Sequence, residues 1–213
     1  MRIAVYSGSF NPLHIGHLAI MEALSRDPGF DWTYLIVSPQ NPLKDASNTL
    51  SAKDRYMAAV EAVKRHPDLR VWVDEIELRM PPPQYTIKTL DALRRREPEN
   101  EFTLVMGADN LAGMHRWRDF QRILSEYGVV VYPREGYDLD SIIASLMDEC
   151  RRFPAPYVLD PAGLHFNAGT VSLEENFAGM YHIRTIDLPT VDISSTEIRN
   201  GISQGQDMSD YLM

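Results

Sequence analysis

Five short apolar runs alternate with stretches of helical periodicity, and this alternation constrains the 213-residue chain more than any other feature. The runs are Ile3–Tyr6, Tyr34–Val37, Val71–Asp74, Phe102–Met106 and Val129–Tyr132. Each is β-rich and lacks the apolar–polar alternation of a strand with one wet face, so each reads as a strand buried on both sides. Between them, helices are predicted over Ile15–Leu24, from the Ser51/Asp54 cap pair to about His66, over Thr86–Arg96 and over Phe120–Glu126. Buried strands alternating with helices predict a Rossmann-like, doubly wound parallel α/β sheet. A single domain over residues 1–213 is expected. Around 137–180 the periodicity is lost after one possible helix, Leu139–Arg151, and this stretch reads as an irregular insertion. Ser194 and Glu197, spaced as a capping box, then open a small C-terminal helical element predicted to stop near Gly201.

Charge narrows the partners. Thirty acidic residues against 21 basic ones give a formal net charge of −9, which argues against general affinity for nucleic acid or an anionic membrane. A small anionic ligand stays compatible with that balance, because a few cations and backbone amides can hold phosphates locally. The lone cysteine, Cys150, can form no internal disulfide and no thiolate zinc site, which suits a reducing cytoplasm. No apolar run approaches the roughly 20 residues that span a bilayer, and the first residues lack a signal-peptide core. A cytoplasmic, unexported protein is expected, with its oligomeric state left open.

In an open parallel sheet, ligands bind beyond the carboxyl ends of the strands, near helix N-termini. The first such position carries Ser7-Gly8-Ser9-Phe10-Asn11-Pro12-Leu13-His14-Ile15-Gly16-His17. Gly8 would let the backbone approach a ligand, and the following helix N-terminus favours phosphate. His14 and His17, three apart, would share one face of a helical turn and could donate to the oxygens of a pentacoordinate phosphorus. A helix-capping pair or a metal-binding pair explains the same spacing. Near the other end, Ile193-Ser194-Ser195-Thr196-Glu197-Ile198-Arg199 combines three hydroxyls, a helix start and a cation.

Together these two segments resemble the HxGH signature and the ISSTxIR element of the nucleotidylyltransferase superfamily. The HxGH tetrad also occurs in class I aminoacyl-tRNA synthetases, but no lysine-rich KMSKS loop is found. Four further stretches are similar to those of nicotinate-nucleotide adenylyltransferases: Ser38–Lys44 after the second strand, Tyr85-Thr86-Ile87-Lys88-Thr89-Leu90, Gly107-Ala108-Asp109-Asn110 followed by Trp117, and Tyr132-Pro133-Arg134-Glu135-Gly136. Ser7 and Ser9 stand where relatives more often carry Gly and Thr, and Asn11 where Asp is frequent.

The resemblance implies transfer of AMP from ATP to nicotinic acid mononucleotide, with Mg²⁺ accompanying ATP and no metal site assigned to the chain itself. His14, His17, Lys44 and Arg199 would carry catalysis. Gly8, Ser9, Phe10, Gly107, Asp109, Ser194, Ser195 and Thr196 would complete the ATP site. Tyr85, Thr86, Asp109, Asn110, Trp117 and Arg134 would shape the mononucleotide side. Nicotinamide mononucleotide or pantetheine phosphate as acceptor, or a non-catalytic adenine-nucleotide sensor, are the alternative readings.

Overall fold

A computed structural model describes residues 1–39, 50–152, 181–188 and 193–213. Lys44 and residues 153–180 of the expected insertion therefore lie outside the described residues.

The strands are β1 (Arg2–Gly8), β2 (Trp32–Val37), β3 (Val71–Asp74), β4 (Glu101–Gly107), β5 (Val129–Tyr132) and β6 (Ile183–Thr185), in the sheet order β3-β2-β1-β4-β5-β6. The fold is the expected parallel α/β type, and all five predicted strands are present. β6 adds to β5 in parallel and was not anticipated, since three residues are too few to show a period. By its internal contacts the chain divides into two compact units, one comprising Met1, Ile3–Gln84 and Leu188–Met213, the other Arg2 and Tyr85–Asp187.

In the first unit, Ile3, Ala4, Val5 and Tyr6 are buried in sequence, which is why β1 lacks alternation. Its register against β2 runs from Ile3↔Trp32 to Gly8↔Val37, so the two strands end flush. The Ser38 N–H extends the ladder to the Gly8 carbonyl at 2.9 Å, and the Ser7 and Ser38 hydroxyls meet at 3.0 Å. Both exits thus open side by side. Helix α1 (Ile15–Arg26) buries Ile20, Met21 and Leu24. Helix α2 (Ala52–Lys64) starts at the predicted cap, where Ser51 Oγ accepts the Asp54 N–H and donates to the Asp54 carboxylate. At the end of β3, Asp74 accepts the Ile76 N–H and turns the chain into a one-turn helix, α3 (Ile76–Arg79).

In the second unit, α4 (Thr86–Arg96) has the predicted bounds and buries Ile87, Leu90 and Leu93. After α5 (Ala108–Ala112), the helix expected over Phe120–Glu126 is split. One α-turn, α6 (Phe120–Arg122), runs into a π-turn over Ile123–Tyr127 that buries Ile123, Leu124 and Tyr127 before Gly128, at φ +72°, ends it. Helix α7 (Leu139–Arg152) matches the single helix expected in the insertion and buries Ile143, Leu146, Met147 and Cys150. One boundary departs from expectation. Helix α8 (Ser195–Ser203) passes through Gly201, and the left-handed residue that follows it is Gly205, at φ +77°. Gly201 is a packing glycine, because a Cβ there would lie 2.6 Å from the Met208 sulfur.

An ion-pair network ties α4 to the π-turn. Arg122 donates two bonds to Asp91, at 3.2 and 3.0 Å, and two to Glu126, while Arg94 reaches Glu126 at 2.9 Å and Tyr127 donates to Asp91 at 2.5 Å. Burial opposes ionisation of Asp91 and Glu126, but the hydrogen bonds from Arg122 and its neighbours outweigh it and hold both carboxyls below their usual range. Their contribution is complete above the pKa of the unfolded carboxyls, about 4, and is lost as pH falls through the lower folded values. Asp91→Asn should cost about 2–3 kcal/mol at neutral pH, by stranding part of a half-buried cation. Urea unfolding at pH 7 and pH 3.5 checks this, with the difference between variant and native protein shrinking at the lower pH.

Candidate active site

The turn after β1 is shaped by Phe10. Its backbone sits in the left-handed region at φ +43°, and its buried ring packs edge-on against Tyr6 (5.2 Å between centroids) and His17 (5.1 Å). A Cβ on Gly8 would lie 3.0 Å from the tip of that ring, so the glycine makes room for Phe10 as well as for any ligand.

His14 and His17 do come together, though not as two residues of one helical turn. His14 is the N-cap of α1, with extended backbone, and its Nδ1 accepts the Gly16 N–H at 3.2 Å. His17, in the first turn, accepts the His14 N–H on its own Nδ1 at 3.2 Å. The rings lie 3.8 Å apart, tilted by 40°. Imidazole nitrogens here replace the oxygens of a Ser/Glu capping box. A neutral imidazole that accepts on Nδ1 carries its proton on Nε2, so the caps select the Nε2–H tautomer for both rings. The capping and catalytic readings of this pair are therefore compatible: one nitrogen builds the helix terminus and the other is a donor. Metal binding through Nδ1 would break both caps, and among the described residues there is no group of three or more His, Cys, Asp or Glu that could hold an ion.

The C-terminal motif is fastened to this turn. Arg199 donates to the Asn11 carbonyl at 2.6 Å and to Thr196 Oγ1 at 3.0 Å, and Ser195 Oγ donates to the Pro12 carbonyl at 3.2 Å. Ser194 and Glu197 form the predicted capping box, the carboxylate accepting both the Ser194 N–H and its hydroxyl. Those two bonds hold the Glu197 carboxyl below its usual range. The Ser194 and Ser195 hydroxyl protons are thus committed to the cap and the turn, whereas Thr196 accepts from Arg199 and keeps its proton for another acceptor. Leu212 bridges to His14 in antiparallel fashion, and the Met213 N–H points to the Leu13 carbonyl at 3.5 Å.

Sequence reasoning missed Arg55. Only 2% exposed, it donates to the Ser9 carbonyl, to those of Ser38 and Pro39 at 2.8 Å each, and through Nε to that of Leu50 at 3.1 Å. Burial lowers its pKa, and no carboxylate pairs with it among the described residues. The available signal was positional: Arg55 shares the buried face of α2 with Ala59 and Ala62, where a cation must have acceptors waiting.

In the second unit, Gly107 closes β4, opposite Tyr132 in the register with β5, and Asp109 and Asn110 lie in α5. Arg134 Nε stands 3.7 Å from Asp109 Oδ1, and its guanidinium lies 5.3 Å from the Tyr132 ring centroid. Gly107 makes this convergence possible, since a Cβ there would meet Asp109 Oδ1 at 2.3 Å, Tyr132 at 3.0 Å and Arg134 at 3.2 Å. Tyr85 is the N-cap residue of α4 and makes no side-chain capping bond; Lys88 and Arg118 place their charges 5.3 and 5.2 Å from its ring centroid. Thr86 is the first helical residue, and half-buried Trp117 ends the 3₁₀ turn Met114–Arg116.

Residues 5–201 match the cytidylyltransferase-like family. A probable nicotinate-nucleotide adenylyltransferase from Flavobacterium johnsoniae is 32% identical over 216 residues, covering all of this chain and 92% of the relative. One from Bacteroides fragilis is also 32% identical, over 99% of this chain and 87% of its own. The chain belongs to the nicotinate-nucleotide adenylyltransferase branch of the cytidylyltransferase-like family. The fold is shared with a Plasmodium falciparum nicotinic acid mononucleotide adenylyltransferase complexed with NaAD, at a TM-score of 0.70 and 15% identity over 99% of this chain and 90% of that one.

Gly107→Ala should force Asp109 and Arg134 apart and cost about 1 kcal/mol, the low end for overpacking, because both side chains can swing into solvent. The loss, read by urea unfolding, should shrink when Asp109→Ala is added, since the closest of the three collisions is then gone.

Proposed function

We propose that the chain transfers AMP from ATP to nicotinic acid mononucleotide, forming nicotinic acid adenine dinucleotide and pyrophosphate. The observation that carries this reading is the fastening of Ser195 and Arg199 to the Pro12 and Asn11 carbonyls, directly before two histidines whose Nδ1 atoms are occupied by caps. Two donors, a cation and an uncommitted hydroxyl proton are thereby gathered at the end of β1, in the unit that holds Gly8, Ser9 and Phe10. Full-length relatives named for this activity support the acceptor assignment.

In the proposed step, a 5′-phosphate oxygen of the mononucleotide attacks the α-phosphorus of ATP, and the bond from that phosphorus to the bridging oxygen of pyrophosphate breaks. The attacking oxygen is already ionised at neutral pH, so no general base is needed and no proton has to move. Catalysis reduces to in-line positioning and stabilisation of charge on the phosphoryl oxygens. Nε2–H of His17 and of His14 would donate to those oxygens, Arg199 and Lys44 would offset the charge of the leaving pyrophosphate, and Thr196 would donate its hydroxyl. Mg²⁺ would arrive as part of the substrate, bound by phosphate oxygens and water. Tyr85, Thr86, Asn110, Trp117, Asp109 and Arg134 are assigned to the mononucleotide, with Trp117 stacking on the pyridine.

The family match spans both compact units, which supports their working as one nucleotidylyltransferase domain. A cytoplasmic setting is proposed with it. Among the described residues no helix is long and apolar enough to cross a membrane, and the single cysteine is buried, its thiol pushed up to about 11 chiefly by desolvation.

Pyrophosphate release with ATP and Mg²⁺ should be strong with nicotinic acid mononucleotide and weak with its amide; release with the amide alone would overturn the acceptor. His17→Ala should lower kcat by about 10²-fold or more in a folded protein, the scale of losing one preorganised transition-state donor. Steady-state kinetics beside a circular dichroism spectrum decides this, and near-native turnover would remove the role given to His17.

A further inference from the structure

Arg55 takes no part in the reaction as just described, yet its environment is among the most demanding in the first unit. A guanidinium that is 2% exposed has its described partners entirely in main-chain carbonyls, and these come from the exits of β1 and β2 and from the residue before the α2 cap. We propose that Arg55 is a positioning residue for the histidine pair: by clamping the Ser9 carbonyl it holds Phe10 in its left-handed conformation, and the Phe10 ring in turn fixes the orientation of His17.

The links are geometric. The Ser9 carbonyl belongs to the peptide plane that precedes Phe10, and rotation of that plane about the Phe10 N–Cα bond is the Phe10 φ angle. Holding the carbonyl on Arg55 fixes that plane, the packing of the ring on Tyr6 and His17 fixes the far side of the bond, and together they hold φ at +43°, a region that aromatic residues avoid without outside constraint. In that conformation the ring covers Gly8, rests on Tyr6 and stands edge-on to His17 at 5.1 Å. At a negative φ the ring would leave this position, and His17 would lose the wall that opposes its rotation about the Cβ–Cγ bond. The same guanidinium bonds the Ser38 and Pro39 carbonyls, so the exit of β2 is fixed to the same point. Lysine cannot replace this arrangement, because one ammonium has neither the planar fork nor the reach to serve carbonyls on several sides.

The catalytic consequence rests on the proposed adenylyl transfer, but the geometric one does not, and the test separates them. In ¹⁵N-labelled protein without substrate, above about pH 8 where imidazole is neutral, His17 in the native chain should show the signature of the Nε2–H tautomer. Arg55→Lys should shift that signal toward the mixture of tautomers seen for free imidazole. With substrates, it should lower kcat at least tenfold and leave KM for the mononucleotide within about twofold. Phe10→Leu, with Arg55 intact, should reproduce the His17 shift and guards against a misfolded Arg55 variant. A folded Arg55→Lys protein with the native His17 spectrum would overturn the inference. So would a Phe10→Leu protein with that spectrum. If native protein transfers no adenylyl group to any acceptor, the proposed function falls while the spectra still decide the role of Arg55.

Discussion

A guanidinium buried at the exits of two strands has to be supplied with acceptors, because desolvating it without hydrogen bonds would cost several kcal/mol. Arg55 meets that requirement with main-chain carbonyls of residues 9, 38, 39 and 50, and the requirement works in both directions. The cation needs those carbonyls in place, and the two strand exits are given a fixed geometry beyond the last ladder bond, from the Ser38 N–H to the Gly8 carbonyl. The flush ends of β1 and β2 bring the exits close, and Arg55 converts closeness into a defined shape. Its pKa moves down under burial, but guanidinium stays protonated in a folded protein, so the clamp does not switch with pH. It also leaves a positive charge near the place where a triphosphate is expected, in a chain whose net charge is −9.

Above this base, helix capping and the proposed phosphate recognition use the same two side chains. In an ordinary capping box, serine and glutamate oxygens satisfy the first backbone N–H groups and nothing further is gained. Here two imidazoles do so with Nδ1, and the chemistry of the ring then fixes a proton on Nε2 at the opposite edge. A histidine serves this purpose where serine could not, since it has a second nitrogen whose protonation depends on the first. The structural explanation of the motif and the proposed catalytic one are consequently compatible. At the start of α8 the division of labour is different. Ser194 and Glu197 make the cap, Ser195 makes the tether to Pro12, and Thr196 with Arg199 is left for the proposed contact with phosphate.

How much of this could be read in advance depended on whether the determinant was local. The five predicted strands were legible because burial on both faces removes polar residues from a run, and the two caps at Ser51 and Ser194 because a cap is a property of four adjacent residues. The histidine pair was legible as a pair, while its placement at an N-cap was not, since nothing in an H-x-x-H spacing tells the first residue from a helical one. Gly201 misled the α8 boundary: a glycine looks like a helix stop whether it turns the chain or packs against Met208, and only the tertiary contact separates the two. The π-turn over Ile123–Tyr127 and the three-residue β6 fell outside any usable period. Arg55 offered only its place on the buried face of α2. Its acceptors are main-chain carbonyls, which carry no residue identity, so no partner in the sequence could have announced it.

Two of the ion-pair systems of the second unit show how exposure divides tightly held from loosely held charge. Arg122, Asp91 and Glu126 have side chains 26%, 22% and 10% exposed and share paired bonds at 3.0–3.2 Å to Asp91, a geometry whose disruption strands charge in a poorly solvated place. Asp109 and Arg134 are each 41% exposed and meet through one contact at 3.7 Å. Water solvates both ends of that pair, so separating it costs little and its contribution to stability is correspondingly small. The anion-binding role proposed for Arg134 fits a pair of the second kind. An arginine that is to receive an anionic substrate must give up its resident partner for less than the ligand returns, and a carboxylate held loosely beside a close-packed glycine provides that. The tight network sets the positions of α4 and the π-turn, and the loose pair at the ends of β4 and β5 is left able to exchange.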